Sequence, residues 1–311
     1  MGEFSHVSVL LEEAVDGLNV KPDGVYVDCT LGAGGHAALI ASKLKGGRLI
    51  AIDQDREAIA AARETLKPFG DTVLLIHDNF ENAGAIIDTY ANGKIDGALM
   101  DLGVSSHQLD TPERGFSYHL DGRLDMRMNP DAALSAYRVV NEYPEGELRR
   151  IIQSFGEEKR ASQVAKAIVR AREKKVIEST LELSEIVKSA FPIKERMEGK
   201  HPARRTFQAL RMEVNRELAV IPETIEALEA RLKPGGRLSV ITFHSLEDRT
   251  VKEKIRSYIE GCTCPKDFPV CVCRFRPSLK KVSRKPLTAS PEELEANARS
   301  RSAKLRIAEK I

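Results

Sequence analysis

The stretch Val25-Tyr26-Val27-Asp28-Cys29-Thr30-Leu31-Gly32-Ala33-Gly34-Gly35-His36 decides the fold of this chain. A short apolar run ends in an acid, a glycine-rich turn follows, and helical composition continues from Ala37 to Leu44. Glycines permit a tight turn and let a ligand approach the backbone. The N-terminus of the following helix offers free N–H donors. The stretch therefore predicts a strand, a ligand-binding turn and a helix.

The same alternation continues through the first hundred residues. The predicted strands are 25–29, 48–52, 72–76 and 95–100, and the predicted helices are 37–44, 56–66 and 83–90. This rhythm predicts an α/β fold with a doubly wound, mostly parallel, Rossmann-like sheet. Ligands of such sheets bind beyond the carboxyl ends of the strands, where Asp28, Asp53 and Asp101 fall.

A long helical segment then interrupts the sheet. The next strand is predicted only at 237–243, much further along than one crossover helix requires. The helical patterns between are 145–154, 160–174, 180–189 and 206–232. We expect a discontinuous sheet domain, 1–105 with 215–311, and an inserted helical substrate-recognition domain, 106–214. After about residue 275 the chain reads as a basic loop before a final helix-prone stretch.

Composition indicates a globular protein without membrane spans. Hydrophobic residues make up 42% and charged residues 30% of the 311 positions, and no apolar run has the length of a span. The first residues have no basic n-region and no small-residue cleavage site, so we expect no secretory signal. Five cysteines, an odd number, favour a reducing compartment. We therefore predict a cytoplasmic location. The net charge is only +2, but the basic tail from Arg274 can meet a polyanion, a solvated surface being the alternative.

The glycine turn alone does not choose between two cofactors. Read as Gly32-x-Gly34-x-x-Ala37, with Asp53 at the ribose position, it fits a dinucleotide as well. Asp28 favours S-adenosylmethionine (SAM), because SAM has an ammonium group that a carboxylate can pair with. The loop Asp101-Leu102-Gly103-Val104-Ser105-Ser106 also favours SAM, because amino-methylating enzymes of this class keep their substrate-facing loop after the fourth strand.

Eight segments spread over nearly the whole chain resemble those of one family. They are His6–Leu11, Gly32–His36, Asp101–Ser106, Glu113–Ser117, Asp121–Met128, His201–Arg211, Phe243–Arg249 and Arg301–Arg306. In them the chain is similar to the ribosomal RNA small subunit methyltransferase H family, the 16S rRNA cytidine-N4 methyltransferases. The resemblance implies methylation of a specific cytidine in the decoding region, with 16S rRNA in the small ribosomal subunit as the partner. It leaves a homodimer open.

The resemblance also implies a SAM site. Gly34, Gly35 and His36 would lie in the glycine loop, Asp53 would hold the ribose hydroxyls, and Phe80 would flank the adenine. Asp101 and Gln108 would lie near the methionine end and the methyl donor. Asp28 and Gly32, identified above from the turn itself, complete the predicted cofactor contacts.

A mechanism can be framed around Asp101. The N4 amine of cytosine is a poor nucleophile because its lone pair is delocalised into the ring. We hypothesise that Asp101 accepts a hydrogen bond from this amine, helped by Ser105 and Ser106, while proximity to the methyl donor lowers the barrier. The alternative is that Asp101 only contacts SAM. The methyl group leaves a sulfonium cation, so the reaction requires no metal.

Charged residues, mostly of the insertion, are candidates for contacts with rRNA. The candidate substrate-binding residues are Arg123, Asp125, Arg127, Arg204, Arg205, Arg211 and His244. Arginines can hold phosphates, which position RNA without reading its sequence. The alternatives are a local salt-bridge network around Asp125, a solvated helix face for the later arginines, and a structural histidine at His244.

Four cysteines cluster near residue 265. Cys262-x-Cys264 and Cys271-x-Cys273 could together bind zinc, although this spacing is tighter than the usual one. Methyl transfer does not need such an ion, and cysteines that are merely reduced and packed are the alternative.

Other functions remain open on the residues alone. A NAD-dependent oxidoreductase would account for the glycine turn and Asp53, but not for the Asp101 loop. A methyltransferase acting on a small molecule would not need the basic tail, and another RNA could be the substrate. A non-catalytic assembly factor is disfavoured by the intact turn and acids.

Overall fold

The computed structural model describes residues 8–197, 199–264 and 272–311. The chain divides into two compact units. One, which we call the sheet unit, consists of Met1–Gly103 and Leu218–Ile311 as far as these ranges are described. The other, the helical unit, consists of Val104–Glu217. Among the helices of the described residues, none combines the length and the hydropathy of a membrane span.

The sheet unit is built on seven strands. They are β1 Val25–Asp28, β2 Arg48–Asp53, β3 Val73–His77, β4 Ile95–Asp101, β5 Leu232–Thr242, β6 Leu279–Lys281 and β7 Lys304–Lys310. Their order is β3-β2-β1-β4-β5-β7-β6. The first five pair in parallel, and β7 is antiparallel to both β5 and β6. The predicted doubly wound, mostly parallel α/β sheet is confirmed.

Fourteen α-helices lie in the described residues. Those of the sheet unit are α1 Leu11–Leu18, α2 Gly35–Lys43, α3 Arg56–Leu66, α4 Ala83–Tyr90, α12 Glu217–Arg231, α13 Ser245–Ile259 and α14 Pro291–Ala296. Those of the helical unit are α5 Ser106–Asp110, α6 Ala136–Glu142, α7 Glu145–Ser154, α8 Ala161–Arg172, α9 Thr180–Ser189, α10 Ile193–Met197 and α11 Ala203–Val214.

The sheet has a separate hydrophobic core on each face. Successive side chains of a strand point to opposite faces, so an apolar strand supplies both cores. Leu49 and Ala51 of β2 pack with α1, α2 and α3 on one face. Ile50 and Ile52 of the same strand pack with α4, α12 and α13 on the other. Double coverage explains why the early strands read as continuous apolar runs.

The helical unit has its own core, formed by amphipathic helices. Helix α7 buries Leu148, Ile151 and Ile152, which recur at the helical spacing of three and four residues. Helix α8 buries Val164 and Ile168 in the same cluster. Both stripes are visible in the sequence, and the predicted bounds of α7 and α9 match the structure.

The predicted helix 206–232 is wrong as one element. The structure has two helices, α11 and α12, separated at Asn215 and Arg216. Arg216 has a left-handed backbone with φ of 52°, which an α-helix of L-residues cannot continue through. Asn215 holds this break, since its Nδ2 donates to Met126 O at 2.8 Å and its Oδ1 accepts from Met128 N at 2.8 Å. These partners are nearly ninety residues away and leave no local signal.

The prediction for the tail after residue 275 is also wrong. It contains the short helix α14, but it ends in β7 rather than in a helix, and β6 precedes both. Leu305 and Ile307 of β7 are buried, while Lys304 and Arg306 are only partly so. This alternation has the two-residue period of a strand, but the many charged residues of the tail make the period hard to recognise in the sequence.

Candidate active site

Three acids end three neighbouring strands of the sheet unit. Asp28 closes β1, Asp53 closes β2 and Asp101 closes β4. Asp28 is in register with Ala51 of β2 and Leu99 of β4, so the carboxyl ends of these strands form one edge. The structure thus places all three acids where a doubly wound sheet binds its ligands.

The glycine turn between β1 and α2 is tied to this edge. Gly32 N donates to Asp53 Oδ2 at 2.8 Å, and Leu31 N donates to Ile52 O at 3.0 Å. Gly32 has φ of +52°, and a Cβ built there would meet no atom within 4 Å. At Gly35 the same Cβ would lie 2.1 Å from Ser8 Oγ. The turn therefore needs glycine for close packing on one side and keeps open space on the other.

Asp28 is fully buried, and only one of its two carboxylate oxygens has a hydrogen-bond partner among the described residues. Its Oδ1 accepts from Thr30 N at 3.0 Å, whereas its Oδ2 has no hydrogen-bond partner among the described residues. Burial raises the pKa of Asp28 to about 7, opposed by the Thr30 amide and reinforced by the charge of Asp53. A buried carboxylate oxygen without a partner is costly, so the site is suited to a cationic or hydrogen-donating ligand.

Asp53 is held by backbone amides, among them those of Gly32 and Asp55. Its Oδ2 accepts from Gly32 N, and its Oδ1 accepts from Asp55 N at 2.9 Å. Burial raises the pKa of Asp53 to about 6, although these amides pull it back down. A carboxylate has about four lone-pair sites, so acceptor capacity remains for a ligand hydroxyl.

Asp101 is positioned by its backbone and open at its carboxylate. Its N–H donates to Thr30 Oγ1 at 2.6 Å. Its Oδ1 is buried without a partner among the described residues, and its Oδ2 lies 3.7 Å from His36 Nδ1. Burial, then the negative charges of Asp28 and Glu247, raise the pKa of Asp101 well above its ordinary value. Sequence reasoning missed Thr30, although its place between Asp28 and Gly32 was a signal.

His36 and Phe80 flank the edge from two sides. His36 is buried near the start of α2, with Nε2 3.2 Å from Val9 O. Phe80 opens the 3₁₀ helix Phe80–Asn82 directly after β3 and packs partly buried against the core that contains α4. Asn79 caps that short helix and donates to Gln54 Oε1 at 3.0 Å. Phe80 thus lies on a fixed turn beyond the end of β3.

These features fit SAM. Two buried carboxylate oxygens, on Asp28 and Asp101, have no hydrogen-bond partner among the described residues. SAM carries two groups that interact favourably with carboxylates, an ammonium group and a sulfonium. Asp53 has acceptor capacity for ribose hydroxyls, and the open side of Gly32 lets a ligand reach the backbone. The chemistry of this edge therefore matches the cofactor that the acids predicted.

Ser105, Ser106 and Gln108 lie in the helical unit at the start of α5. Ser105 is the N-cap: its Oγ accepts from Gln108 N at 3.2 Å, and Gln108 Oε1 accepts from Ser105 N at 3.1 Å. This reciprocal capping box satisfies two amides of the helix N-terminus. Ser106 is the first residue of the helix. The contacts give Ser105 and Gln108 a structural part in this helix.

The predicted charged cluster in the helical unit contains a tight ion pair. Arg127 Nε and Nη2 donate to the two carboxylate oxygens of Asp125 at 2.8 and 2.6 Å. Burial acts to raise the pKa of Asp125, but the hydrogen bonds from Arg127 prevail and lower it. Arg211 forms a similar bidentate pair with Glu217, at 2.8 and 2.7 Å. These charges are largely compensated within the unit.

The other arginines predicted to bind the substrate, Arg123, Arg204 and Arg205, form fewer contacts. Arg123 is exposed, and its backbone forms an isolated bridge with Ser179. Arg205 Nη1 lies 3.6 Å from Glu158 Oε2 and is 43% exposed. Arg204 is half-buried on α11, with no acidic partner among the described residues. Arg123 and Arg204 therefore keep charge available for an anion.

His244 is occupied in capping α13. Its Nδ1 accepts from Glu247 N at 3.3 Å, and the buried Glu247 accepts from Phe243 N at 2.8 Å and from His244 N at 3.3 Å. His244 Nε2 lies 2.9 Å from Glu247 Oε1, but the pair lacks the angle of a hydrogen bond. These contacts assign His244 a structural role at the start of α13.

Three of the four clustered cysteines are brought together in the sheet unit. The Sγ atoms of Cys262, Cys264 and Cys273 all lie within 4.8 Å of one another. Cys271 lies outside the described residues. The fifth cysteine, Cys29, is buried at the end of β1, and burial raises the pKa of its thiol.

Comparison with known proteins identifies the family. The sequence matches the MraW methylase family over residues 3–311. A ribosomal RNA small subunit methyltransferase H of Clostridium botulinum (strain Kyoto / Type A2) is 54% identical, covering 99% of this chain and 100% of its own. That of Lachnospira eligens is 53% identical, covering 99% and 98%. The solved structure of an rRNA methylase from Streptococcus thermophilus aligns over 99% of both chains at 14% identity and a TM-score of 0.44.

The family match removes the oxidoreductase alternative that the glycine turn alone left open. The acids at the edge of the sheet and the sequence relationship agree on the cofactor. This chain belongs to the MraW methylase family and is a SAM-dependent methyltransferase.

Proposed function

We propose that this enzyme transfers the methyl group of SAM to the N4 amine of one cytidine in 16S rRNA, within the small ribosomal subunit and in the cytoplasm. The single observation that carries the proposal is the carboxylate of Asp101, which ends β4 with its Oδ1 buried and unpartnered among the described residues. The names of the relatives support rRNA as the substrate class.

The cofactor contacts follow from the edge of the sheet unit. The turn through Gly32, Gly34 and Gly35 leaves backbone accessible to SAM. Asp53 accepts from the ribose hydroxyls, and Phe80 packs against the adenine. Asp28 and Asp101 face the methionine end, with His36 beside Asp101. Gln108 belongs to the same proposed set, with its capping contact keeping α5 formed.

Asp101 then activates the amine. Its carboxylate accepts a hydrogen bond from N4–H, which draws the nitrogen lone pair out of the ring and aligns it. SAM would supply the methyl group from its sulfonium and would leave as a neutral thioether, so the methylated N4 would become acidic. A carboxylate whose pKa is raised by burial is a better acceptor for the proton that N4 then loses. Ser105 and Ser106 remain candidates to orient the amine.

A basic pocket in the sheet unit supports a polyanionic substrate. Its lining includes six cationic side chains: Lys252, Arg256, Lys281, Arg284, Lys285 and Arg306. Arg256 and Lys281 pair with Glu260, and Arg306 pairs with Asp248. The other three have no acidic partner among the described residues. Arg306 is in register with Val240 near the carboxyl end of β5, the end at which the acids lie. The pocket is therefore suited to phosphates.

The helical unit is proposed to recognise the substrate. Arg123, Arg204 and Arg205 are its phosphate-binding candidates, because their charges are the least compensated. Asp125, Arg127 and Arg211 are better suited to hold the unit in shape, since each is committed to an ion pair. His244, in the sheet unit, serves α13 in the same way.

The test uses small ribosomal subunits lacking the modification, incubated with labelled SAM, digested, and analysed for nucleosides by mass spectrometry. Label in N4-methylcytidine is expected. Asp101→Asn keeps the shape of the side chain but weakens its acceptor, so turnover measured at saturating SAM should fall by about 100-fold or more. Asp71→Asn, at an exposed position in the 3₁₀ helix Lys67–Thr72 before β3, is the matched control.

Two outcomes would contradict the proposal. Label in a different nucleoside would overturn the assigned atom, and transfer only to other RNA or to small molecules would overturn the substrate. Full turnover by Asp101→Asn would restrict Asp101 to contacting SAM.

A further inference from the structure

The methyl-transfer site makes no use of the thiols between α13 and β6. Among these, Cys273 Sγ lies 3.6 Å from Cys262 Sγ, and Cys264 Sγ completes a triangle in which no two atoms are more than 4.8 Å apart. Two thiolates on one zinc ion, each about 2.3 Å from it in tetrahedral geometry, are about 3.8 Å apart. A disulfide would require about 2.05 Å. The observed spacing is therefore that of thiols arranged around a common centre.

Backbone amides also point at one of these sulfurs. Val272 N and Cys273 N donate to Cys264 Sγ at 3.3 and 3.4 Å. These two hydrogen bonds fix the orientation of the Cys264 side chain within the cluster. Deprotonated sulfur is the form that binds a metal, and hydrogen bonds of this kind orient metal ligands.

Among the described residues beside these thiols, apolar burial is limited. Cys262 and Cys273 are exposed, and Val272 is 68% exposed. Cys262 follows the end of α13 by three residues, and Cys273 precedes β6 by six. Bringing these positions together costs loop-closure entropy, which the exposed side chains of Cys262, Val272 and Cys273 do not repay. A metal ion bound by the thiols would repay it, as in small zinc-stabilised loops.

We propose that Cys262, Cys264 and Cys273 bind a structural zinc ion that fastens the loop between α13 and β6. Each thiol releases its proton on binding, and the ion takes no part in methyl transfer. Zinc is the ion of choice because sulfur ligands suit it and it undergoes no redox change. The ion would fix the chain between Lys252 and Arg256 on α13 and Lys281 on β6, all of which line the basic pocket.

The test is metal analysis of the full-length protein, purified under reducing conditions without chelators. We expect about one zinc ion per chain. The reduced, metal-free protein should give the near-ultraviolet thiolate-to-cobalt absorption band when titrated with Co²⁺, and Zn²⁺ should displace it. Cys262→Ala, Cys264→Ala and Cys273→Ala should each lower zinc affinity by about tenfold or more. Cys29→Ala, which removes the buried thiol at the end of β1 that is not part of the cluster, should retain the ion.

Thermal melting of each variant separates loss of the ion from loss of the fold. The proposal is overturned if the reduced protein binds neither Zn²⁺ nor Co²⁺, or if the three variants retain the ion. It is also overturned if the ion found is iron with the absorption of an iron–sulfur cluster, or if exposure of the reduced protein to oxygen in the presence of Zn²⁺ yields a Cys262–Cys273 disulfide instead of the zinc-bound protein.

Discussion

Asp28 and Asp101 show how burial prepares a residue for a ligand. Each has one carboxylate oxygen without a partner among the described residues, and each has its pKa raised by burial and by a neighbouring acid. In the ligand-free protein these groups are held closer to the neutral form. A cationic ligand favours the ionised form, so binding and ionisation must be linked.

The linkage predicts a pH dependence for Asp28. Its pKa of about 7 in the folded chain exceeds its unfolded value of about 4. Its contribution to stability is therefore fully present below about pH 4 and is lost as the pH rises through 7. Asn cannot ionise, so ligand-free Asp28→Asn should gain stability over the wild type between pH 5 and pH 8. We expect a gain on the order of a few degrees in melting temperature.

Calorimetry with SAM tests the same linkage through the pH dependence of SAM affinity. Affinity for the wild type should rise as the pH passes about 6 to 7, the range of the Asp53 and Asp28 values. Asp28→Asn should bind more weakly, with a flatter profile. Parallel melting curves for wild type and Asp28→Asn at every pH, with Asp71→Asn as reference, would refute the assignment.

At the scale of elements, residues 113–128 of the motif mainly stabilise the fold of the helical unit. Arg114 Nη2 donates to the carbonyls of Arg127 and Met128, at 3.0 and 3.1 Å. Gly115 has φ of +73°, and a Cβ there would lie 2.1 Å from Arg123 O. The loop is therefore closed by backbone contacts that tolerate no side chain at this glycine.

A pair of identical substitutions tests this reading. Gly115→Ala should destabilise the protein by about 3 kcal/mol, because backbone must move to admit the methyl group. Gly146→Ala, in helix α7 with no atom near its Cβ position, should be neutral or more stable by up to about 1 kcal/mol. Urea denaturation measures both. Equal changes for the two variants would show that the close contact at Gly115 is not a constraint.

At the scale of the whole molecule, charge distribution matters more than net charge. The chain carries only +2, yet Lys252, Arg284 and Lys285 meet in one pocket without acidic partners among the described residues. A local cluster of this kind attracts a polyanion, whereas distant acids are screened by salt.

Charge reversal in the pocket should weaken binding of the subunit. For the double variant Arg284→Glu, Lys285→Glu we expect a higher KM for the subunit, little change in kcat, and a salt dependence whose logarithmic slope is smaller by about 2. The double variant Lys45→Glu, Lys94→Glu is the control, because it changes net charge equally at exposed positions preceding β2 and β4. If both variants behave alike, general charge rather than the pocket governs binding.

Local pattern was enough to predict the first five strands, the glycine turn and the acids that follow β1, β2 and β4. Apolar runs, turns and acids there depend on neighbours in sequence, and parallel pairing follows from the alternation with helices. Family resemblance added the proposed roles of Phe80 and Gln108, which no spacing could have supplied. The apolar faces of α7 and α9 could equally be predicted, because amphipathic periodicity is a local property of the sequence.

The tertiary structure decided what depends on distant partners. The break at Arg216 is fixed by Met126 and Met128, and β7 is a strand because β5 offers it an edge. Contacts likewise leave one carboxylate oxygen each of Asp28 and Asp101 without a partner among the described residues. Contacts also pair the charges of Arg127 and Arg211 with acids. The sequence by itself determined which side chains could do chemistry. Only the packed chain decided which of them are already satisfied, because burial and hydrogen bonding depend on residues far apart in sequence.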